Sequence, residues 1–359
     1  MNIASRLAKL QQNMAEKGIK AFLISRPEDR YYLSGFTGSD GYLLITPEAS
    51  ILATDARYTE QAGKEAPAYQ IFRIAGRLAS WLPELVSGIN CPELAFQAGH
   101  LTFAIYQQMS EALAESHIRL VPTEGLVASQ RRIKEAAEID LITKAVAITD
   151  ASFTHLEDVI HPGMTEKQAA WEIEKYMREH GSEAVAFEAI VAAGANSAMP
   201  HARPGERTIL PGEPIVVDVG AKYNGYCSDL TRTICLGEPD DTFKKVYHTV
   251  LAAQLKAAET IQEGMTGAEA DETARAVIRE AGYGDNFGHG LGHGLGLVIH
   301  ESPRLGPNAT ELLENGMVFS NEPGIYLPGW GGVRIEDTVV MEQGRVKTLS
   351  RARKISSLQ

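Results

Sequence analysis

The stretch PIVVDVGAKYNGYCSDLTRTICLG, from Pro214 to Gly237, sets two apolar runs on either side of Asn224-Gly225. Asn-Gly is the strongest short signal for a two-residue hairpin loop, because both positions accept left-handed backbone. A sheet that turns back on itself in this way is not part of a βαβ crossover. With the loop at Asn224-Gly225, Asp218 falls opposite Thr231, and Asp229 becomes its diagonal neighbour on the same face. Such neighbours stand about 7–8 Å apart at the backbone. Left without a partner, carboxylates in a strand as apolar as VVDVG are costly to bury. Two that reach toward each other can share metal ions about 3.5–4 Å apart.

The construction recurs in MVFSNEPGIYLPGWGGVRIEDTVVM, Met317 to Met341, where the turn centres on Gly329. Glu322 and Glu336 lie equally far from that centre, so an antiparallel pair without a bulge sets them opposite one another. Arg334 falls on their face and Asp337 on the other, by the two-residue period of a strand.

A third stretch, GHGLGHGLGLVIHE from Gly288 to Glu301, carries His289, His293 and His300 among five glycines. Glycine costs a helix about 1 kcal/mol per residue against alanine, so the His289/His293 spacing is not a helical zinc pair. Extended chain is the better reading, with the tail LGLVIH as a buried strand leaving the site. Four carboxylates and one imidazole make a mostly hard-donor set with room for two divalent ions. Manganese is favoured, with cobalt or zinc as alternatives. No GxSxG elbow and no GxxxxGK[ST] loop competes with it.

Helical patterns surround these strands. One begins near Ile133; others run from about Thr165 to His180, with Thr165 as N-cap, from about Thr242 to Glu263, and from about Gly267 to Ala281. Residues 129–359 therefore read as an α+β domain. Toward the N-terminus, Ile3, Leu7, Leu10 and Met14 form the stripe of an amphipathic helix. The segments AFLIS, GYLLIT, ILATD, YQIFRI and ELAFQ then alternate with helix or turn, so residues 1–128 read as an α/β domain. Within it, YYLSGFTGSDGYLLIT, Tyr31 to Thr46, reads as a glycine-rich structural turn between two strands.

The 359 residues carry 34 basic against 46 acidic groups, a net charge of −12 with histidine neutral. That balance argues against nucleic acid and anionic membranes as partners, and no segment has the length of a membrane span. Three cysteines without a CxxC fit a reducing cytoplasm.

Residues His289 to Glu301, with Asp218, Asp229 eleven residues on, His293, Glu322 and Glu336, resemble the proline-peptidase branch of the pita-bread metallopeptidases, the group of aminopeptidase P and prolidase. The resemblance extends to residues 1–128 as a creatinase-type N-terminal domain and to 129–359 as the pita-bread catalytic domain. It implies a metal-dependent Xaa-Pro aminopeptidase or Xaa-Pro dipeptidase, commonly a homodimer, acting on peptides with proline second. Asp229 and Glu336 would bridge two metals, Asp218 would chelate one, and His293 with Glu322 the other. His201 and His300 would sit by the substrate, His289 would line the pocket, and Arg334 would stand beside the metals. Arg304 lies where some prolidases place an arginine for a substrate carboxylate. A methionine-aminopeptidase-like enzyme and a catalytically dead binding module are the alternatives. The intact ligand set and the fourteen-residue interval between Glu322 and Glu336 weigh against them.

Overall fold

The computed structural model describes residues 2–89, 91–355 and 357–358 and divides into two compact units, Met1–Arg131 and Arg132–Gln359. Among the described residues no helix is long and apolar enough to cross a membrane.

The first unit is built on strands β1 (Phe22–Ile24), β2 (Tyr42–Ile45), β3 (Ser50–Asp55), β4 (Gln70–Ile74), β5 (Glu93–Gln97) and β6 (Arg119–Thr123). They form one mixed sheet in the order β4-β3-β2-β1-β5-β6. Helices α1 (Ile3–Glu16), α2 (Pro27–Ser34), α3 (Thr59–Glu65), α4 (Leu78–Val86), α5 (Phe103–Ala112) and α6 (Ala128–Arg131) complete the unit. The expected stripe of α1 buries Leu10 and Met14. Strand β6 escapes the sequence pattern because it is an edge strand holding Pro122, which has no N–H to donate to a ladder. The glycine-rich stretch after Tyr31 differs from its expectation as well. Tyr31–Ser34 finish α2, and Gly35 closes that helix in the left-handed region at φ 78°. Beyond it the loop wraps the buried Arg30 guanidinium, which donates to the carbonyls of Gly38 and Gly41 at 2.7 Å each.

The second unit has two helix pairs, α7 (Ala136–Val159) with α8 (Glu166–Glu179) and α9 (Asp241–Thr260) with α10 (Gly267–Glu280). Each pair's second helix opens on the same words, Gly-Met-Thr-x-x-Gln/Glu. Thr165 with Gln168 and Thr266 with Glu269 form capping boxes. The strands are β7 (Ala184–Val185), β8 (Ile190–Ala193), β9 (Ile215–Val219), β10 (Ala221–Tyr223), β11 (Tyr226–Cys227), β12 (Leu230–Ile234), β13 (Gly292–Gly294), β14 (Glu301–Leu305), β15 (Val318–Asn321), β16 (Gly324–Leu327), β17 (Gly331–Arg334), β18 (Asp337–Glu342) and β19 (Arg345–Thr348). Phe153, Leu156, Ile173 and Met177 of the first helix pair bury against Val191, Val217 and Ile234. Phe243, Val250 and Ala274 of the second bury against Phe319 and Val339.

Both hairpins keep the register read from their turns. Asn224 and Gly225 have φ 46° and 83°, Tyr223 pairs with Tyr226, and Asp218 pairs with Thr231. In the second hairpin Gly324 pairs with Arg334 and Asn321 with Asp337, so the same register runs on both sides of Glu322 and Glu336.

The glycine-rich stretch is extended only at β13. The tail LGLVIH is not a strand: residues 296–300 form a bend that returns the chain into β14. β13 itself is crowded in a way that local sequence does not display, since it lies between β14 and β15. A Cβ on Gly292 would stand inside the envelope of the Ser320 carbonyl, and one on Gly294 inside that of Ser302. Gly292→Ala is therefore expected to force β13 and β15 apart and to lose about 1–3 kcal/mol, the usual cost of overpacking. Thermal unfolding of the variant measures it, and an unchanged midpoint would show that the close approach is not required.

Candidate metal centre

Three of the four acidic residues stand where a strand ladder is interrupted. Asp229 lies between β11 and β12, Glu322 between β15 and β16, and Glu336 between β17 and β18. There each amide takes another partner, Glu322 N donating to the Leu291 carbonyl at 2.9 Å, Glu336 N to the Thr231 carbonyl at 3.0 Å and Asp229 N to Thr338 Oγ1 at 3.3 Å. Asp218 reaches the same point from within β9, and His293 from β13. One oxygen each of Asp218, Asp229 and Glu336 lies within 4.8 Å of the others. His293 Nε2 is 3.6 Å from Asp229 Oδ2 and 3.3 Å from Glu322 Oε1. All five side chains thus meet, with Asp229 common to both groupings.

Neighbouring groups hold them in place. Arg334 donates from Nη2 to Asp218 Oδ2 at 2.7 Å and from Nε to Thr231 Oγ1 at 3.1 Å. The Thr231 hydroxyl donates to Glu336 Oε2 at 2.6 Å, and Ser320 Oγ donates to Glu322 Oε1 at 3.0 Å. His293 Nδ1 lies 3.1 Å from the Gly294 carbonyl. That oxygen only accepts, so Nδ1 carries the proton and the Nε2 lone pair faces two carboxylates.

Burial first, then Glu336, Asp218 and Glu322, hold Asp229 well above the usual carboxylate range. Burial, then Glu322 and Asp218, do the same to Glu336. Glu322 is pushed up to about 7 by burial, with Arg334 opposing and Asp218 adding. Burial keeps His293 neutral by lowering its pKa. Among the described residues Asp218 Oδ1 and Glu336 Oε1 are buried without a hydrogen-bond partner. A neutral imidazole lone pair, two orphaned carboxylate oxygens and mutually repelling acids are all resolved by cations placed among them. Oxygen donors with one nitrogen suit hard or borderline divalent ions.

The remaining sequence candidates line the same cavity of about 630 Å³: His201, His289, His300, Arg304 and Arg334. His201, His300 and Arg304 are exposed to it. The His300 ring packs edge-on against His293 with centroids 4.3 Å apart. Arg304 pairs across the ladder with His293. His289 differs from the others, because both its ring nitrogens are engaged. Burial, reinforced by Arg334, lowers it to about 4. Its Nδ1–H donates to the Gly290 carbonyl at 2.8 Å, and Nε2 accepts from the Tyr326 hydroxyl at 2.9 Å. Tyr326 in turn accepts from Arg334 Nη1 at 2.7 Å. Tyr326 and the hydroxyl of Thr231 are not among the sequence candidates. The signal for both is strand parity: Thr231 is opposite Asp218, and Tyr326 is four residues beyond Glu322 on one face.

Comparison with known proteins agrees with this chemistry. Residues 140–343 match the model of metallopeptidase family M24, and residues 6–133 match the creatinase/prolidase N-terminal domain. An uncharacterized peptidase of Bacillus subtilis is 38% identical, covering 97% of this chain and 98% of its own. A Xaa-Pro dipeptidase from Bacillus anthracis superposes with a TM-score of 0.96 at 39% identity, covering 100% of both chains. An X-Pro aminopeptidase from Thermotoga maritima gives a TM-score of 0.89 at 36% identity, covering 96% of this chain and 99% of its own. With two matched domains and full-length relatives, the chain belongs to metallopeptidase family M24 and carries a creatinase/prolidase N-terminal domain.

Proposed function

We propose that this protein is a metal-dependent exopeptidase that hydrolyses the bond between an N-terminal residue and a following proline. It would act with two divalent ions held by Asp218, Asp229, His293, Glu322 and Glu336, and with residues 1–128 and 129–359 as its two domains. The observation that carries the reading is the convergence of those five donors with orphaned, buried oxygens on Asp218 and Glu336. Asp229 and Glu336 are assigned as bridges, Asp218 to one ion, and His293 with Glu322 to the other. Asp229 lies near members of both groupings, which supports its role. Manganese is the ion proposed first.

Divalent ions held there would supply hydroxide from water near neutral pH and polarise the scissile carbonyl. The chain's own residues arrange the rest. Arg334 and Thr231 fix one oxygen each of Asp218 and Glu336, leaving the other oxygen of each free to face a cation. An X-Pro bond has no N–H, so proline is recognised by shape, and Phe187, Ile299 and Leu305 supply apolar wall to the cavity. His201 and His300, exposed to the cavity, are assigned to the substrate carbonyl and departing nitrogen. His289 holds Tyr326, and through it the Arg334 guanidinium, in position. A homodimer in a reducing cytoplasm belongs to the same proposal, and light scattering of the purified protein tests the dimer.

Turnover of Ala-Pro, Ala-Pro-Ala and Ala-Ala-Ala with manganese tests the reaction. The proline peptides should be cleaved and the third spared. Equal cleavage of all three, or of none, overturns it. Relatives named as dipeptidase and as aminopeptidase are both near, and Arg304 separates the two preferences. If it receives a dipeptide's carboxylate, Arg304→Gln loses a charge-assisted bond and raises KM for Ala-Pro by about tenfold or more. KM for Ala-Pro-Ala should change less. An equal change for both peptides removes that role.

A further inference from the structure

Thr231 and Glu336 face the cluster, and the next residue of each, Arg232 and Asp337, faces the opposite way. These two form an ion pair at 2.8 Å, with each side chain only 1% exposed. Every nitrogen of the Arg232 guanidinium donates. Nη1 donates to the carbonyls of Thr231 and Glu336. Nη2 donates to Asp337 Oδ1 at 2.8 Å and to the Ala352 carbonyl at 2.8 Å, and Nε to the Arg353 carbonyl at 3.1 Å. The other Asp337 oxygen takes Gln254 Nε2 at 2.8 Å and Lys354 Nζ at 2.6 Å. One guanidinium thus grips the backbone of two residues of the site from behind, and a distant segment of chain completes its coordination.

That segment is seated along its length. Ser350 Oγ accepts from Thr338 N at 3.0 Å. Asp150 accepts from the amides of Arg351 and Ala352 at 2.8 and 3.0 Å, Arg353 pairs with Glu157, and Leu358 bridges to Leu236. A buried ion pair is a poor source of stability, since well-packed apolar residues often do as well or better. What it supplies is a fixed geometry, and here it fixes the carbonyls of Thr231 and Glu336. Thr231 also accepts at its carbonyl from the Glu336 amide at 3.0 Å, so any slackening behind the sheet reaches the Glu336 carboxylate.

We infer that Arg232, with Asp337 and the segment Ala352–Lys354 that completes its coordination, is a positioning residue for Glu336, so that docking of this segment sets the affinity of the site for its divalent ions. The inference rests on the metal reading above. It is tested by measuring manganese affinity in competition with a fluorescent chelator, beside thermal unfolding in EDTA and kcat at saturating manganese. Four variants are needed: removal of residues 352–359, Lys354→Met, Lys354→Arg, and Lys347→Met, which breaks only an exposed pair with Glu342 outside the segment. Removal of the segment should weaken manganese binding by about tenfold or more, the usual effect of losing an outer partner of a metal ligand. Excess manganese should restore most of kcat. Lys354→Met should move affinity the same way by less, Lys354→Arg should restore it, and Lys347→Met should leave it unchanged. If the shortened protein does not fold, Lys354→Met against Lys354→Arg decides alone. Lower stability in EDTA with manganese affinity within about twofold of wild type would make the segment merely structural and overturn the inference. A wild-type protein that takes up no manganese would sink the metal reading, and this inference with it.

Discussion

Asp229→Asn should abolish turnover while leaving the protein folded. The amide has the shape of the carboxylate but no charge, and Asp229 is the residue near both groupings of candidate ligands, close to Asp218 and Glu336 on one side and to His293 on the other. Losing one member of a catalytic unit costs on the order of 10⁴ in rate, and a shared ligand has no substitute in the site. The effect on stability runs the other way. Without cations, burial and repulsion from Glu336, Asp218 and Glu322 oppose the ionised form of Asp229. Asparagine removes that repulsion, so in EDTA the variant should melt no lower than wild type. With manganese the order reverses, because only wild type gains the binding energy of its ions. The two melting curves, metal content and turnover of Ala-Pro form one experiment. Near-normal turnover and metal content would sink the dinuclear assignment.

That crossing of stabilities depends on acids brought together by two hairpins, and both are legible in the sequence because turn chemistry leaves little freedom. Asn224-Gly225 can close a hairpin in few ways, so the turn alone is enough to set Asp218 opposite Thr231, as the ladder has it. The turn centred on Gly329 likewise sets Glu322 against Glu336, and Arg334 and Asp337 fall on the two faces expected of them. The bend at residues 296–300 is not legible, nor is the close approach of the Ser320 and Ser302 carbonyls to Gly292 and Gly294. Nothing in a run of alternating glycines says which distant backbone comes near. Strand β6 is hidden by its own proline and half-exposed edge. The capping boxes at Thr165 and Thr266 are written in the sequence as a repeated Gly-Met-Thr, although each helix start can be read without the other. Least legible of all is the grip of Ala352 and Arg353 on Arg232, which uses carbonyl oxygens and leaves no mark in side-chain pattern.

His300→Ala should lose about 2.7–4 kcal/mol of transition-state stabilisation, the scale for removing one donor to a developing oxyanion, with metal content unchanged. His300 lines the cavity beside the cluster and is exposed to it. Its ring touches His293 edge-on at 4.3 Å, whereas the groups that hold the carboxylates are Arg334, Thr231 and Ser320. A side chain so placed can meet a substrate carbonyl without competing for a cation. Alanine also takes away the ring packed on His293, and a loosened His293 could release metal by a different route. His300→Phe separates the two causes, because it keeps an aromatic ring against His293 and removes both nitrogens. Phenylalanine should be nearly as slow as alanine and should hold manganese as wild type does. The loss should appear in kcat more than in KM, since the bond is made only as charge develops. Metal lost from the alanine variant and retained with phenylalanine assigns His300 to supporting His293, and metal lost from both places it among the ligands.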